Sequence, residues 1–206
     1  MKKIFLGILC GMLLLTGCAN NQDYSSYEHP IVSMEFEDFG TIKIELYPDV
    51  APNTVANFVN LIESGFYDGN SIHRVSPGFV IQGGDPDGNG TGGPGYAIKG
   101  EFSENGFNNE LSHERGVISM ARSSKPNSAG SQFFIVLDDQ AIFSLDKKYA
   151  GFGKVIEGMD IVDKMVDEAV FDRAGSEKLK ENYVIKKVTV DTKGHTYKVK
   201  RIAKES

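Results

Sequence analysis

The feature of this chain that most restricts its fold is a series of short apolar runs, each closed by Gly, Pro, Asn or Asp. They cover residues 31–36, 41–47, 71–75, 78–82, 116–121, 132–137, 151–156 and 184–190. All are short and rich in Val, Ile or Phe, and they read as strands. The first two alternate around Glu37-Asp38-Phe39-Gly40, a hairpin signal. Glu35, Lys43 and Glu45 are predicted to face water, and Ile42, Ile44 and Leu46 the interior. Two segments have helical spacing instead. Pro52-Asn53-Thr54 opens one, which repeats Val55, Phe58, Val59 and Ile62 and stops at Gly65. The other runs over about residues 159–166, with Ile161, Val162 and Met165 apolar. Many short strands with only two helices predict a mostly β fold, a closed antiparallel barrel capped at its ends. No internal repeat and no second core-sized segment occurs, so residues 31–192 are predicted to form one domain.

The 206 residues carry 22 Lys or Arg against 28 Asp or Glu, a net charge of −6. That balance implies no basic face, and nucleic acid is not expected as a partner. Residues 1–17 read as an export signal: Lys2-Lys3, then an uncharged apolar run from Ile4 to Leu15, too short for a membrane span. Leu15-Thr16-Gly17-Cys18 resembles the lipobox of bacterial lipoproteins. The resemblance implies that Cys18 is lipidated and becomes the first mature residue, held at the membrane by acyl chains at ~0.8 kcal/mol per buried methylene. Removal of Lys2 and Lys3 takes the basic count to 22 − 2 = 20 and the net charge to −8. Cys10 leaves with the signal, so the mature domain has no disulfide and depends on its core. Residues 18–30, rich in Asn, Gln, Ser and acids, are predicted to be a flexible tether. Residues 193–206 hold five basic residues and one acid. They are predicted to form a basic tail that is solvated or weakly extends the last strand, with contact to an anionic membrane as an alternative.

Two glycine-rich patterns have competing readings. Asp85-Pro86-Asp87-Gly88-Asn89-Gly90 matches the start of an EF-hand calcium loop, but the twelfth position, where a bidentate glutamate belongs, is Tyr96. Gly88-Asn89-Gly90-Thr91-Gly92-Gly93 matches G-x-G-x-x-G, but Pro94-Gly95 follows where a helix should begin. A tight loop needing positive φ angles accounts for both patterns.

Two other runs carry chemistry. In His73-Arg74-Val75-Ser76-Pro77-Gly78-Phe79-Val80-Ile81-Gln82-Gly83-Gly84-Asp85, one Arg and one Gln sit among apolar residues. An arginine there needs a reason, because burying an unpaired charge is costly. Gly130-Ser131-Gln132-Phe133-Phe134-Ile135-Val136 is the second run. Together they predict a pocket with an apolar floor and an arginine on its wall. Such a pocket suits an apolar group joined to a polar one, for example a proline ring and its peptide bond.

These runs resemble the cyclophilin family of peptidyl-prolyl isomerases. The likeness is carried by Phe66-Tyr67-Asp68-Gly69, His73-Arg74-Val75, the segment from Gly78 to Asp85, Gly90-Thr91-Gly92-Gly93-Pro94-Gly95-Tyr96, residues 116–121 and 130–135, and Phe152-Gly153-Lys154-Val155. It runs from about residue 31 to 191. It implies an eight-stranded barrel with two capping helices, and an isomerase that needs no cofactor and no metal. Its partners would be proline-containing peptides and unfolded exported proteins. It implies Arg74 as the donor to the prolyl nitrogen, with Gln82 orienting it. Phe79, Phe134 and Leu145 match the proline pocket, with Val80 beside them. Ala121, Arg122 and Gln132 match positions along the peptide groove, and Tyr149 stands where many relatives have His. His73 is expected to be structural, because no proton is transferred.

The chemistry suits this set. Rotation about a peptide C–N bond faces ~18–20 kcal/mol because the nitrogen lone pair is delocalised. In the twisted amide the nitrogen regains that pair, and a guanidinium can donate to it only then, which is differential binding of the transition state. Arginine stays charged and holds a rigid fork. Two departures from the family pattern stand out. Ser144, beside Phe143, occupies the position where cyclosporin-sensitive relatives carry Trp. Arg122 replaces the Asn of the best-known relatives and is predicted to be an extra cation favouring acidic peptides. Two other readings compete with the isomerase: a peptide-holding chaperone or adhesin, and a calcium-binding structural lipoprotein. The expectation is a monomeric isomerase, lipid-anchored at the extracytoplasmic face of a bacterial, Gram-positive membrane.

Overall fold

The computed structural model describes residue 24 and residues 26–203. The predicted export signal and Cys18 lie outside these residues. Eight strands form the body: β1 (Ile31–Phe36), β2 (Gly40–Leu46), β3 (Ser71–Ser76), β4 (Val80–Gly83), β5 (Val117–Met120), β6 (Phe133–Val136), β7 (Ala150–Glu157) and β8 (Lys178–Asp191). They pair in the order β1-β2-β7-β5-β6-β4-β3-β8, and β8 returns to β1, so the barrel is closed. Every pairing is antiparallel. All eight predicted runs hold a strand. The last begins at Lys178 rather than near residue 184.

The helices are α1 (Pro52–Glu63), α2 (Ile142–Leu145) and α3 (Met159–Asp167). The four-residue α2 has no counterpart in the two-helix expectation. Helix α1 starts after Ala51, which has no side chain able to cap it. Glu101 does so from a distant loop: its carboxylate accepts from the N–H of Asn53 (3.0 Å) and from the N–H and hydroxyl of Thr54 (2.7 Å each).

The alternation predicted for β2 holds, with Ile42, Ile44 and Leu46 fully buried. They share one buried core with Val55, Phe58 and Val59 of α1 and Val162 and Met165 of α3. Phe58 packs edge-on against Phe152 (centroids 5.1 Å apart) and Phe133 (5.8 Å). Strand β6 splits its side chains between two cores. Phe133 and Ile135 point into the barrel, while Phe134 and Val136 join Val80, Val117, Ala141 and Leu145 in a smaller cluster outside it. That outer cluster is the apolar floor of the site described below.

Both termini differ from expectation. Residues 24–30 were predicted as tether, yet Tyr24 is buried in the main core. Residues 192–203 do not extend β8, and most of their side chains stay exposed. They fold back along α1, burying Tyr197, and Tyr27 stacks on His195 at 3.8 Å. Tyr24 lies 5.2 Å from Tyr197. Burying these large aromatic surfaces offsets the ordering of otherwise polar segments.

Candidate active site

Cross-strand register aligns the predicted residues. Arg74 of β3 lies opposite Gln82 of β4, Gln82 opposite Phe134 of β6, and Phe134 opposite Ser119 of β5. This transverse row faces outward because β3 is irregular. Ile72 pairs with Gly83 and Arg74 with Gln82, so His73 is the extra residue of a bulge. Ile72 and Val75 then both face the core, and Arg74 turns out between them. A turn through Ser76-Pro77-Gly78-Phe79 leads to β4, closed by the Phe79 N–H donating to the Ser76 carbonyl at 2.9 Å. Gly78 sits at φ +73°, where other residues are strained. The turn brings Phe79 to the rim of the row.

The row floors a depression of about 250 Å³ lined by Arg74, Phe79, Val80, Gln82, Ala121, Arg122, Phe134, Leu145 and Tyr149. Nine of the ten groove residues predicted from sequence thus meet in one place. The tenth, Gln132, lines an adjoining depression of about 350 Å³ between residues 90–96 and residues 121–132. It accepts from the Gln82 amide at 2.9 Å, and Gln82 in turn accepts from Arg74 Nη1 at 3.0 Å.

Arg74 has a second partner that the sequence did not reveal. Its Nε and Nη2 donate to Glu177 Oε2 at 2.8 and 2.6 Å, and the Ser76 hydroxyl donates to the other carboxylate oxygen. The Ser76 hydroxyl, and then the Arg74 guanidinium, hold the Glu177 carboxyl below its ordinary value despite partial burial. Glu177 lies 103 residues from Arg74, just ahead of the unpredicted extension of β8. A guanidinium has five N–H donors. Three are engaged here, and two remain, one on each terminal nitrogen.

The apolar floor at Phe134 rests on a buried polar chain. His113 stacks beneath Phe134 (6.2 Å, 23°), with Nδ1 2.9 Å from Asp146 and Nε2 3.0 Å from the Ser119 hydroxyl. Burial pushes the His113 imidazole down. Burial alone would raise Asp146, but donors from His113 and Ser112 outweigh it and the carboxyl lies low. An ionised carboxylate only accepts, so the neutral imidazole carries its proton on Nδ1 and Ser119 donates to Nε2. The side-by-side Ser, His and Asp are therefore a support for Phe134 rather than a nucleophile, since Ser119 is fully buried.

Arg122 does not stand free as predicted. Its Nε and Nη2 both donate to the Lys148 carbonyl (3.0 and 2.9 Å) and Nη1 to the Ser123 carbonyl (2.9 Å). Its plane lies between Phe102 (5.0 Å) and Tyr149 (4.6 Å). It cements the segment carrying Tyr149 to the groove, and Tyr149 meets Phe134 edge-on at 5.5 Å. The other singled-out residues also have places. His73 is buried, and burial lowers its imidazole, as a structural residue requires. In the glycine loop, Asp85 accepts from the backbone N–H groups of Asp87, Asn89 and Gly90. Its carboxylate ties off the turn. Ser144 is exposed and offers no apolar plate, while its neighbour Phe143 is 81% exposed.

The sequence model of the family described as cyclophilin type peptidyl-prolyl cis-trans isomerase/CLD matches residues 31–190. The chain belongs to the cyclophilin-type peptidyl-prolyl cis-trans isomerases. It is 50% identical over 129 residues to peptidyl-prolyl cis-trans isomerase B of Bacillus subtilis (strain 168), covering 63% of this chain and 85% of that one. It is 42% identical over 154 residues to peptidyl-prolyl cis-trans isomerase-like 2 of Cryptococcus neoformans, 74% of this chain but only 26% of that longer protein. The fold matches the cyclophilin type isomerase of Cryptosporidium parvum crystallised in the presence of the dipeptide Ala-Pro. That match has a TM-score of 0.69 at 34% identity and covers 78% of this chain and 98% of that one. The cyclophilin fold, its eight-stranded closed barrel and peptidyl-prolyl isomerase activity are thus established for this chain.

Proposed function

We propose that this cyclophilin speeds X–Pro rotation in exported proteins as they fold at the outer face of a bacterial cytoplasmic membrane, anchored through lipidated Cys18 and acting as a monomer. The observation that carries the catalytic part is the held guanidinium of Arg74. Glu177 and Gln82 fix its plane, and two of its N–H groups are left for substrate. With the proline ring seated against Phe79, Phe134 and Leu145, a twisted prolyl nitrogen accepts from one of them. A planar amide nitrogen has no pair to offer, so this bond exists only near the transition state. A charge-assisted hydrogen bond contributes ~1.5–3 kcal/mol, on the order of 10- to 100-fold in rate.

Unfolded chains hold ~10–30% cis at X–Pro and exchange over tens of seconds, slow enough to limit folding. Among the described residues no helix is long and apolar enough to cross a membrane. The lipobox at residues 15–18 supports a lipid anchor instead.

The test of catalysis is the isomerisation rate of an Ala-Pro peptide with wild type and Arg74→Ala. The variant should lose on the order of 10- to 100-fold in kcat/KM; an unchanged rate sinks the mechanism. Cyclosporin should inhibit weakly, because Ser144 supplies neither a large apolar surface nor an indole N–H. Palmitate labelling and fractionation should place wild type, but not Cys18→Ala, in the membrane. Unlabelled, soluble wild type would refute the anchor.

A further inference from the structure

The tail that follows β8 reaches the substrate groove. Helix α1 presents Asn53, Asn57 and Asn60, spaced so that they share one stripe. Asn60 donates to the Tyr197 carbonyl at 2.9 Å. Asn53 donates to the Lys200 carbonyl at 3.0 Å and accepts from the Lys200 N–H at 2.7 Å. The tail is therefore pinned along the helix at two points. Beyond the second pin, Arg201 lies 4.4 Å over the ring of Tyr96, and Ile202 exchanges both backbone hydrogen bonds with Ala97 (3.0 and 2.8 Å). Tyr96 belongs to the wall of the second depression. The middle asparagine completes the linkage: buried Asn57 accepts from the Tyr96 hydroxyl at 2.7 Å and donates to Gly130 on the facing wall at 2.7 Å.

We propose that residues 195–202 act as a strap that sets the groove wall at Tyr96 and thereby the grip on residues flanking the proline. Arg201 and Ile202 are its positioning residues. The strap lies beyond residue 190, where the family match ends. Its contacts at the groove are with Tyr96 and Ala97, and Tyr96 lines the neighbouring depression rather than the proline one, so its effect falls first on the neighbouring one. Its near end is held in turn by Tyr24 and Tyr27, which pack on Tyr197 and His195. The loop from Gly90 to Tyr96 has four glycines among its seven residues and is otherwise held by single hydrogen bonds, from Gly90 to Asp85, from Gln132 to Gly92 and from Tyr96 to Asn57, so the strap adds the backbone pairing and ring contact that fix its Tyr96 end. Wall conformers that miss the peptide reduce apparent affinity in proportion to their population.

This inference rests on the assignment of the groove to peptide, so its test carries Arg74→Ala as a control for that assignment. Exchange spectroscopy by NMR, which needs no protease, gives kcat and KM for two substrates. One is a short Ala-Pro peptide filling only the proline depression, the other the same dipeptide extended on both sides. Wild type should bind the long peptide more tightly. Arg201→Ala, an exposed substitution that leaves the core intact, should raise the long-peptide KM about three- to fivefold, the scale of one cation–π contact. Ile202→Pro, which removes the N–H donated to Ala97, should do the same. Neither should change kcat, or either constant for the short peptide, and the amide resonances of Tyr96 and Ala97 should shift in both. Equal effects on both peptides, no effect on either, or unmoved amides at Tyr96 and Ala97 would each overturn the strap. A full rate in Arg74→Ala would instead overturn the groove assignment.

Discussion

Glu177 offers a sharp test of the proposed mechanism, because in it Glu177 reaches the prolyl amide only through Arg74. Its carboxylate takes two of the guanidinium's N–H donors on one edge, and the Ser76 hydroxyl holds the carboxylate from behind. The pair is partly open to water, with side-chain exposures of 32% for Arg74 and 45% for Glu177. Solvent screening therefore limits its contribution to stability to roughly 0.2–1 kcal/mol. The larger effect should be kinetic. Without Glu177, the long side chain of Arg74 keeps one hydrogen bond, to Gln82, and swings about it. Glu177→Ala should then lower kcat/KM about three- to tenfold, or about 0.7–1.4 kcal/mol of transition-state stabilisation. Glu177→Gln keeps an acceptor oxygen without the charge and should fall in between. The Ser76 and Arg74 contacts hold the carboxyl low, so the difference from wild type should not vary with pH near neutrality. The decisive assay is a double-mutant cycle on an Ala-Pro peptide. In an Arg74→Ala background, removing Glu177 should cost nothing further. If Glu177→Ala costs as much there as in wild type, Glu177 acts through the fold and the positioning argument fails.

Other consequences can be checked more briefly. Burial holds His73 and His113 below their ordinary 6.5. The unfolded chain therefore takes up protons that the folded chain refuses. Stability is full above pH 6.5 and is lost as pH falls from there through the folded values. Denaturant melts on both sides of pH 6.5 should show that slope, and His113→Gln should flatten it; an unchanged slope refutes the assignment. Glu101→Ala removes the acceptor at the start of α1 and should cost about 2 kcal/mol in urea melts, with a Tm lowered by several degrees; a neutral effect would show that water caps the helix equally well. Because three of Arg122's N–H groups are held by backbone carbonyls and its plane lies against two rings, it cannot swing out to a flanking acid, and wild type should turn over peptides with acidic and neutral flanking residues at similar rates. A marked acidic preference would restore Arg122 as a free cation.

The barrel was legible in the sequence because its strands are short, apolar and fenced by turn residues. Six of the ten groove residues were legible because they fall in two compact runs whose likeness to the family is dense, while Ala121, Arg122, Leu145 and Tyr149 were placed by the likeness outside those runs. What escaped had a physical reason in each case. The first part of β8, Lys178 to Tyr183, mixes charges with few apolar residues, since one of its jobs is to run past a half-exposed arginine. Glu177 is one acid among several there, and only the fold brings it to Arg74. Tyr24 and Tyr197 sit in polar stretches whose composition reads as tether and tail, and their burial is visible only once the two ends meet. The asparagines of α1 share a helical period with its apolar residues, but a search for apolar spacing passes over them. Arg122 was misjudged because its type was read without its carbonyl and ring partners.

The bulge at His73 makes the aim of the arginine a matter of parity. In an unbroken strand, Ile72 and Val75, an odd number of positions apart, would point to opposite sides of the barrel wall. Arg74 would then share a face with Ile72, inside, where a guanidinium has no water. One uncounted residue in β3 restores the even step. The chemistry at position 74 is therefore protected less by the identity of the side chain at 73 than by the number of residues in the strand. Substitutions at 73 leave that count intact. An insertion between His73 and Val75 must be taken up by a wider bulge, or it turns the Arg74 guanidinium toward the core.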